Sequence, residues 1–228
     1  MSRRDWSVTR RDRRCRFEQI DVYPVTCESL SSGRTDEDIL HAVIAGGARI
    51  IQLRDKVATR GRLRAKAEYF RDVTRRHGVL LIVNDDVEVA LGVDADGVHI
   101  GQGDCPLEQV REQFPDGLIG VSTHTRNQAI EAQNNGADYV NIGPIYSTKT
   151  KDGLHEFLGP QAISQIAPSI DIPFTVMGGI HDANLADVLA AGARRIAMVT
   201  AITQAPDVAA AVSHFRSRIR AASAPVRL

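Results

Sequence analysis

The sequence predicts an α/β fold, a single (β/α)8 TIM barrel, and three observations carry that expectation. Short β-rich runs alternate with amphipathic stretches eight times along the chain. One glycine-containing phrase recurs where helix passes into strand. Polar and charged residues gather just after the β-rich runs, the end at which barrels of this kind keep their chemistry. The length of 228 residues suits the fold, since such barrels commonly run to roughly 200–250 residues.

The runs expected as strands are 22–26, 50–54, 79–84, 97–100, 118–122, 139–143, 174–177 and 196–199. The helices between and after them are 35–45, 59–77, 87–92, 106–114, 126–135, 160–167, 182–191 and 206–221. The runs are apolar rather than strictly alternating, as expected of parallel strands covered on both faces. The recurring phrase is Ala45-Gly46-Gly47-Ala48, Leu91-Gly92-Val93-Asp94, Asn135-Gly136-Ala137-Asp138 and Ala191-Gly192-Ala193-Arg194. A glycine just past a helix accepts the left-handed conformation of the cap. Asp85 with Glu88 three residues on reads as a capping box, and Asp182, Asn184 and Pro206 as helix starts. No glycine-rich dinucleotide fingerprint follows the first strand, which argues against an open doubly wound sheet.

Composition excludes several classes. Lysine and arginine balance aspartate and glutamate, for a net charge of +0, so the whole chain makes no electrostatic case for nucleic acid. No apolar run approaches the roughly 20 residues a membrane helix needs, and no secretory leader is evident, so the expected address is the cytoplasm. Cys15, Cys27 and Cys105 are widely spaced and read as reduced thiols. Self-association is left open. Arginines 3, 4, 10, 11, 13, 14 and 16 crowd the start of the chain. Residues 1–18 are therefore expected as a basic, solvated arm, partly frayed or a short helix and dispensable for catalysis, with an RNA- or membrane-binding arm as the alternative. Residues 19–228 form the barrel.

The strand ends hold the candidate site. Gln52, Arg54 and Lys56 alternate and so share one face of an extended segment. Inward cations are costly unless an anion meets them, or unless Arg54 pairs with a neighbouring aspartate. Asn84-Asp85-Asp86 and Asp104 follow the third and fourth strands; two carboxylate clusters on adjacent ends can share a magnesium ion, although Asp85 and Asp104 can also serve as helix caps. Ser122 and His124 end the fifth strand, the histidine as a structural residue or a base. The loop after the sixth strand carries Thr148, Thr150 and Lys151, donors for phosphate on a stretch long enough to be a lid or a solvated loop. Gly178 and Gly179, then Val199 and Thr200, end the last two strands, where barrels often bind phosphate. Two anion sites in one mouth imply two phosphorylated substrates.

These residues resemble a known family. Gln52-Leu53-Arg54-Asp55-Lys56, Asn84-Asp85-Asp86, Asp96-Gly97-Val98-His99-Ile100-Gly101-Gln102, Gly136-Ala137-Asp138-Tyr139 and Gly143-Pro144-Ile145-Tyr146-Ser147-Thr148-Lys149-Thr150-Lys151 are similar to the motifs of thiamine phosphate synthases. The resemblance implies a transferase that joins a pyrimidine pyrophosphate to a thiazole phosphate and releases pyrophosphate. It implies that Arg54, Lys56, Asn84 and Lys151 hold the pyrophosphate, that Asp85 and Asp104 ligate magnesium, and that Gln52 and Ser122 contact the aminopyrimidine. Thr148 and Thr150 would line the space between substrates, and Gly179, Val199 and Thr200 would receive the thiazole phosphate. Arg54, Lys56, Ser122 and Lys151 are the expected catalytic groups. Met177 stands where the family often has a further glycine. The competing readings are a thiazole tautomerase of the same family and a non-catalytic barrel that binds a phosphorylated ligand.

Overall fold

A ring of eight parallel strands organises the molecule. The computed structural model describes residues 8–148 and 157–223. The strands are β1 (Val22–Pro24), β2 (Ile50–Leu53), β3 (Leu80–Asn84), β4 (Gly97–Ile100), β5 (Leu118–Thr123), β6 (Tyr139–Ile142), β7 (Phe174–Val176) and β8 (Ile196–Met198). They pair in the order β1-β8-β7-β6-β5-β4-β3-β2. The ring closes where Val25 bridges Gln52 and the Thr26 N–H donates to the Gln52 carbonyl at 2.9 Å. Outside it lie α2 (Asp36–Ala45), α3 (Arg60–His77), α4 (Val87–Gly92), α5 (Leu107–Gln113), α6 (Arg126–Asn134), α7 (Gln161–Ile166), α8 (Leu185–Ala190) and α10 (Val208–Ser223). The (β/α)8 expectation therefore holds.

The local chemistry of the turns explains the boundaries. Thr35 and Asp38 bond each other's backbone N–H and open α2 as a capping box. Gly47, Gly136 and Gly192 take positive φ after their helices, as the recurring phrase predicts. In the remaining phrase, Leu91-Gly92-Val93-Asp94, Gly92 is the last helical residue and Asp94, at φ 51°, makes the left-handed turn instead. The expected cap at Asp85 is corrected: Asp86 caps α4, accepting the Val89 N–H at 2.9 Å. α8 starts later than Asp182 because the Asn184 side chain first closes a turn on the His181 N–H.

Two hydrophobic layers hold the ring. One fills the space between strands and helices, with Ile51, Leu53, Leu81, Val83, Val98, Ile119, Val140 and Ile142 facing outward. The other fills the barrel's lower interior with Tyr23, Ile50, Leu80, Ile82, Leu118 and Tyr139. Each fully buried aliphatic side chain contributes about 1.5–3 kcal/mol. Gly120 sits inside the ring opposite the Tyr139 ring, and a Cβ there would stand 2.0 Å from its Cζ, so no larger residue fits.

The floor of the barrel, at the N-terminal ends of the strands, differs from expectation. The short helix expected there forms, as α1 (Arg10–Glu18), but it is docked across the floor rather than solvated. Phe17 is 1% exposed and stacks on Tyr139 with ring centroids 4.1 Å apart. Arg13 is 6% exposed and donates to the Asp116 carbonyl at 2.8 Å. Buried carboxylates at the strand starts explain the arginines. Asp96 accepts the Leu81 N–H at 2.9 Å and Arg71 at 2.7 Å, with Arg13 at 3.5 Å. Asp138 accepts the Ile119 N–H at 2.9 Å, Arg10 at 2.7 Å and Arg111 at 2.5 Å. Buried charges of this kind are tolerated only when paired and hydrogen-bonded.

Candidate active site

The opposite end of the barrel is open. A cavity of about 200 Å³ lies inside the C-terminal ends of the strands. Gln52, Arg54, Lys56, Asn84, Asp85, Asp104, Ser122, Thr148, Gly179, Val199 and Thr200 all line it. Thr150 and Lys151 lie outside the described residues.

β2 delivers Gln52 by its two-residue period, and the segment that follows the strand brings Arg54 and Lys56 to the same cavity. Gln52 points inside the ring, and Arg54 and Lys56 follow on the same side, while Asp55 turns away. Asp55 bonds Lys66 at 2.8 Å and accepts the N–H of Val57 and Ala58. Lys66 also holds Glu28 at 2.7 Å and Asp36 at 2.8 Å. That cluster anchors the loop bearing the two cations. Arg54 pairs with no carboxylate among the described residues; its Nη1 donates to the Cys27 sulfur at 3.8 Å. The reading in which Arg54 serves an aspartate is thereby set aside, and its charge faces the cavity.

Asp85 owes its position to the backbone. It adopts φ 62°, a region a short polar side chain tolerates, and this leaves capping to Asp86. Its carboxylate meets the Lys56 ammonium. Burial pushes its proton affinity above the usual carboxylate value, Lys56 opposes this, and the neighbouring Asp104 adds to it. Asp104 accepts the Gly101 N–H at 2.7 Å and does not cap α5, whose N-cap is Pro106. Two neighbouring carboxylates that offer only oxygen ligands fit a hard divalent cation. Among the described residues no group of three or more metal-binding side chains gathers, so such an ion would draw its other ligands from phosphate and water.

The far wall is backbone. Gly178 at φ 110° and Gly179 at φ 60° run against the β6 loop, and a Cβ on Gly179 would stand 2.3 Å from the Ser147 carbonyl. Close packing of two loops thus demands the glycine pair independently of any ligand. Met177 lines the same wall. After β8, Val199 leads into α9 (Thr200–Thr203), a single turn the sequence did not announce.

Between the walls stand residues to which no role was assigned from sequence. His99 is 8% exposed, lines the cavity and bonds Ser122 Oγ through Nε2 at 3.0 Å. Burial pushes its pKa down to about 4, so the ring is neutral. Asn141 accepts the Thr175 hydroxyl at 2.9 Å. The signal for both was parity: each lies an even number of residues from the inward glycine or tyrosine of its own strand. His124 bonds the Gly143 carbonyl through Nδ1 at 2.6 Å, which favours its structural reading.

A closed (β/α)8 ring with cations, carboxylates and a glycine-lined backbone wall around one mouth defines a class: barrel enzymes that act on phosphorylated small molecules. Within that class, the model of the family described as thiamine monophosphate synthase matches residues 22–202, and the chain belongs to that family. A thiamine-phosphate synthase of Chloroflexus aurantiacus is 44% identical over 198 residues, covering 87% of this chain and 92% of that one. One of Methanoculleus marisnigri is 41% identical and covers 91% and 99%. The solved thiamine phosphate pyrophosphorylase of Pyrococcus furiosus superposes with a TM-score of 0.83 at 32% identity, covering 90% of this chain and 98% of that one. The protein is thus an enzyme, a transferase of thiamine biosynthesis. No helix among the described residues is long and apolar enough to cross a membrane.

Proposed function

We propose that the enzyme joins a 4-amino-2-methylpyrimidine methyl pyrophosphate to a thiazole phosphate, giving thiamine monophosphate and pyrophosphate, in the cytoplasm. The observation that carries this reading is that one cavity is lined both by Arg54, Lys56 and Asn84 and by Gly179, Val199 and Thr200, two sets suited to two anions. A tautomerase acting on the thiazole alone has no use for the first set.

Arg54, Lys56 and Asn84 bind the pyrophosphate, and Lys151 joins them from the loop after β6. Asp85 and Asp104 would hold magnesium, which would offset the charge of the pyrophosphate. The bond between the pyrimidine methylene and the pyrophosphate oxygen breaks as negative charge builds on the leaving group. Arg54, Lys56 and Lys151 stabilise that charge where it develops. The aminopyrimidine ring supplies electrons to the methylene cation, and the thiazole nitrogen attacks it from the side of the Gly179 wall. Gln52 and Ser122 orient the pyrimidine, and Thr148 and Thr150 line the path between the rings. No protein nucleophile or strong base is required; His99, neutral and hydrogen-bonded, fits that economy.

Incubation of the protein with both phosphorylated precursors and magnesium tests the reading. Thiamine monophosphate and pyrophosphate should appear in equal amounts. Absence of both products from folded protein would sink it, and isomerisation of the thiazole alone would establish the tautomerase.

A further inference from the structure

Beneath the cavity a chain of hydrogen bonds crosses the barrel interior. Gln52 Nε2 donates to the Tyr23 hydroxyl at 2.9 Å. The Tyr23 and Tyr139 hydroxyls lie 3.0 Å apart. Tyr139 meets His99 Nδ1 at 3.1 Å, and His99 Nε2 meets Ser122 Oγ at 3.0 Å. Tyr23 and Tyr139 are 1% and 0% exposed, and no water-facing alternative serves their hydroxyl protons. The two ends of the chain, Gln52 and Ser122, both face the cavity.

Proton counting fixes the direction of this chain. Because Gln52 donates, Tyr23 accepts, and the Tyr23 proton has only Tyr139 to receive it among the described residues. The Tyr139 proton must then go to His99 Nδ1. The neutral imidazole therefore carries its hydrogen on Nε2 and donates to Ser122, whose own proton is left for the cavity. Reversing one link alone strands a buried phenolic proton, which native interiors avoid. Burial holds both phenols well above their usual range, so both keep their protons, and His99 stays neutral.

We infer that Tyr23 and Tyr139 are positioning residues that lock the polarity of substrate reading, so that Gln52 presents a carbonyl acceptor to the cavity while Ser122 presents a hydroxyl donor. The matching ligand edge carries an N–H donor beside a lone-pair acceptor, as an aminopyrimidine does. An oxo analogue, with C=O and ring N–H in those places, offers the reversed pattern. It can be matched only if Gln52 turns over and every proton in the chain shifts together. The inference rests on the proposed pyrimidine substrate and extends it to two tyrosines that never touch the ligand. Phe17 of α1 closes the system from below by stacking on Tyr139.

The test pairs two measurements. Non-cleavable diphosphonates of the amino- and oxo-pyrimidines are titrated calorimetrically into the wild type, Tyr139→Phe and Tyr23→Phe. Phenylalanine keeps each ring in place, that of residue 139 over Gly120, and removes only the hydroxyl. The wild type should prefer the amino compound by about 100-fold or more, as sites built on hydrogen bonds do. Each variant should lower that ratio by about 10-fold, because the ends no longer constrain one another. An unchanged ratio in folded variants overturns the inference; a merely packing role for the rings would leave it unchanged. Nitrogen-15 NMR of the ligand-free wild type reads the His99 tautomer, whatever the fate of the variants. Hydrogen on Nε2 supports the chain's direction, and hydrogen on Nδ1 overturns it. Failure of the wild type to bind either diphosphonate would instead defeat the substrate assignment, leaving the tautomer to judge the chain.

Discussion

The two ends of the barrel spend their polar residues differently. At the floor, Asp96 and Asp138 are almost wholly buried and each is met by arginines and by a strand N–H. At the mouth, Arg54 has no carboxylate partner among the described residues, and Asp85 and Asp104 crowd each other. The same alternation of side chains along the strands produces both ends. The difference teaches which charges belong to folding and which to ligand. Charges satisfied within the protein and buried at the floor stabilise the ring, whereas a cation such as Arg54, left without a carboxylate at the mouth, is available to an anionic substrate.

If the ends are separable, their variants should separate too. The largest effect is expected at the floor. Phe17→Ala should cost about 3–5 kcal/mol and lower the melting temperature by roughly 10 °C, as large aromatic truncations in cores do. Turnover per folded molecule should stay within about threefold of wild type. A collapse of turnover in folded protein would break the comparison and tie the floor to the chemistry.

Lys151→Ala should do the opposite. Its charge matters most as the leaving group departs, so turnover should fall about 100- to 1000-fold with little change in thermal stability. A raised Michaelis constant for the thiazole phosphate at unchanged turnover would reassign Lys151 to that substrate, and no change in either would make it a solvated lysine. Steady-state kinetics with each substrate varied in turn separates the three.

His99 connects the two ends and gives a pH signature. Its ordinary pKa of 6.5 falls to about 4 in the folded protein, so the unfolded chain binds the proton more readily. The stability it contributes is present above about pH 6.5 and is lost as pH falls toward 4, by at most on the order of 3 kcal/mol. Denaturant titrations across that range in wild type and His99→Asn should differ in slope; parallel slopes would remove His99 as the cause.

Asp104→Ala should reduce coupling at limiting magnesium by roughly 10- to 100-fold, with partial recovery at high magnesium. Full activity at limiting magnesium would remove Asp104 from the metal site. The smallest effect is expected for Arg14→Ala. Its guanidinium lies 3.9 Å from Asp138, which keeps Arg10 and Arg111, so stability should change by less than about 0.5 kcal/mol.

Much of this was legible in the residues alone. Eight strands, their helices and the crowd of polar groups at the strand ends follow from two-residue and helical periods and from glycine at turns, all local in sequence. The alternation of Gln52, Arg54 and Lys56 anticipated three side chains in one cavity, although only Gln52 lies within β2 and the other two follow its end. The arginines of α1 were misjudged as solvated because charge alone does not reveal the buried carboxylates waiting for them about 80 to 130 residues away.

What the sequence determined by itself, then, is the order of elements and the chemistry gathered at the mouth, since periodicity and turn residues act between near neighbours. Only the tertiary structure decided that Asp86 rather than Asp85 caps α4, that α1 closes the floor, and that Tyr23, Tyr139 and His99 link Gln52 to Ser122. Those outcomes depend on which strands become neighbours across the ring and at what register. Closure of the barrel, not any local preference, brings five strands' side chains within hydrogen-bonding distance of one another.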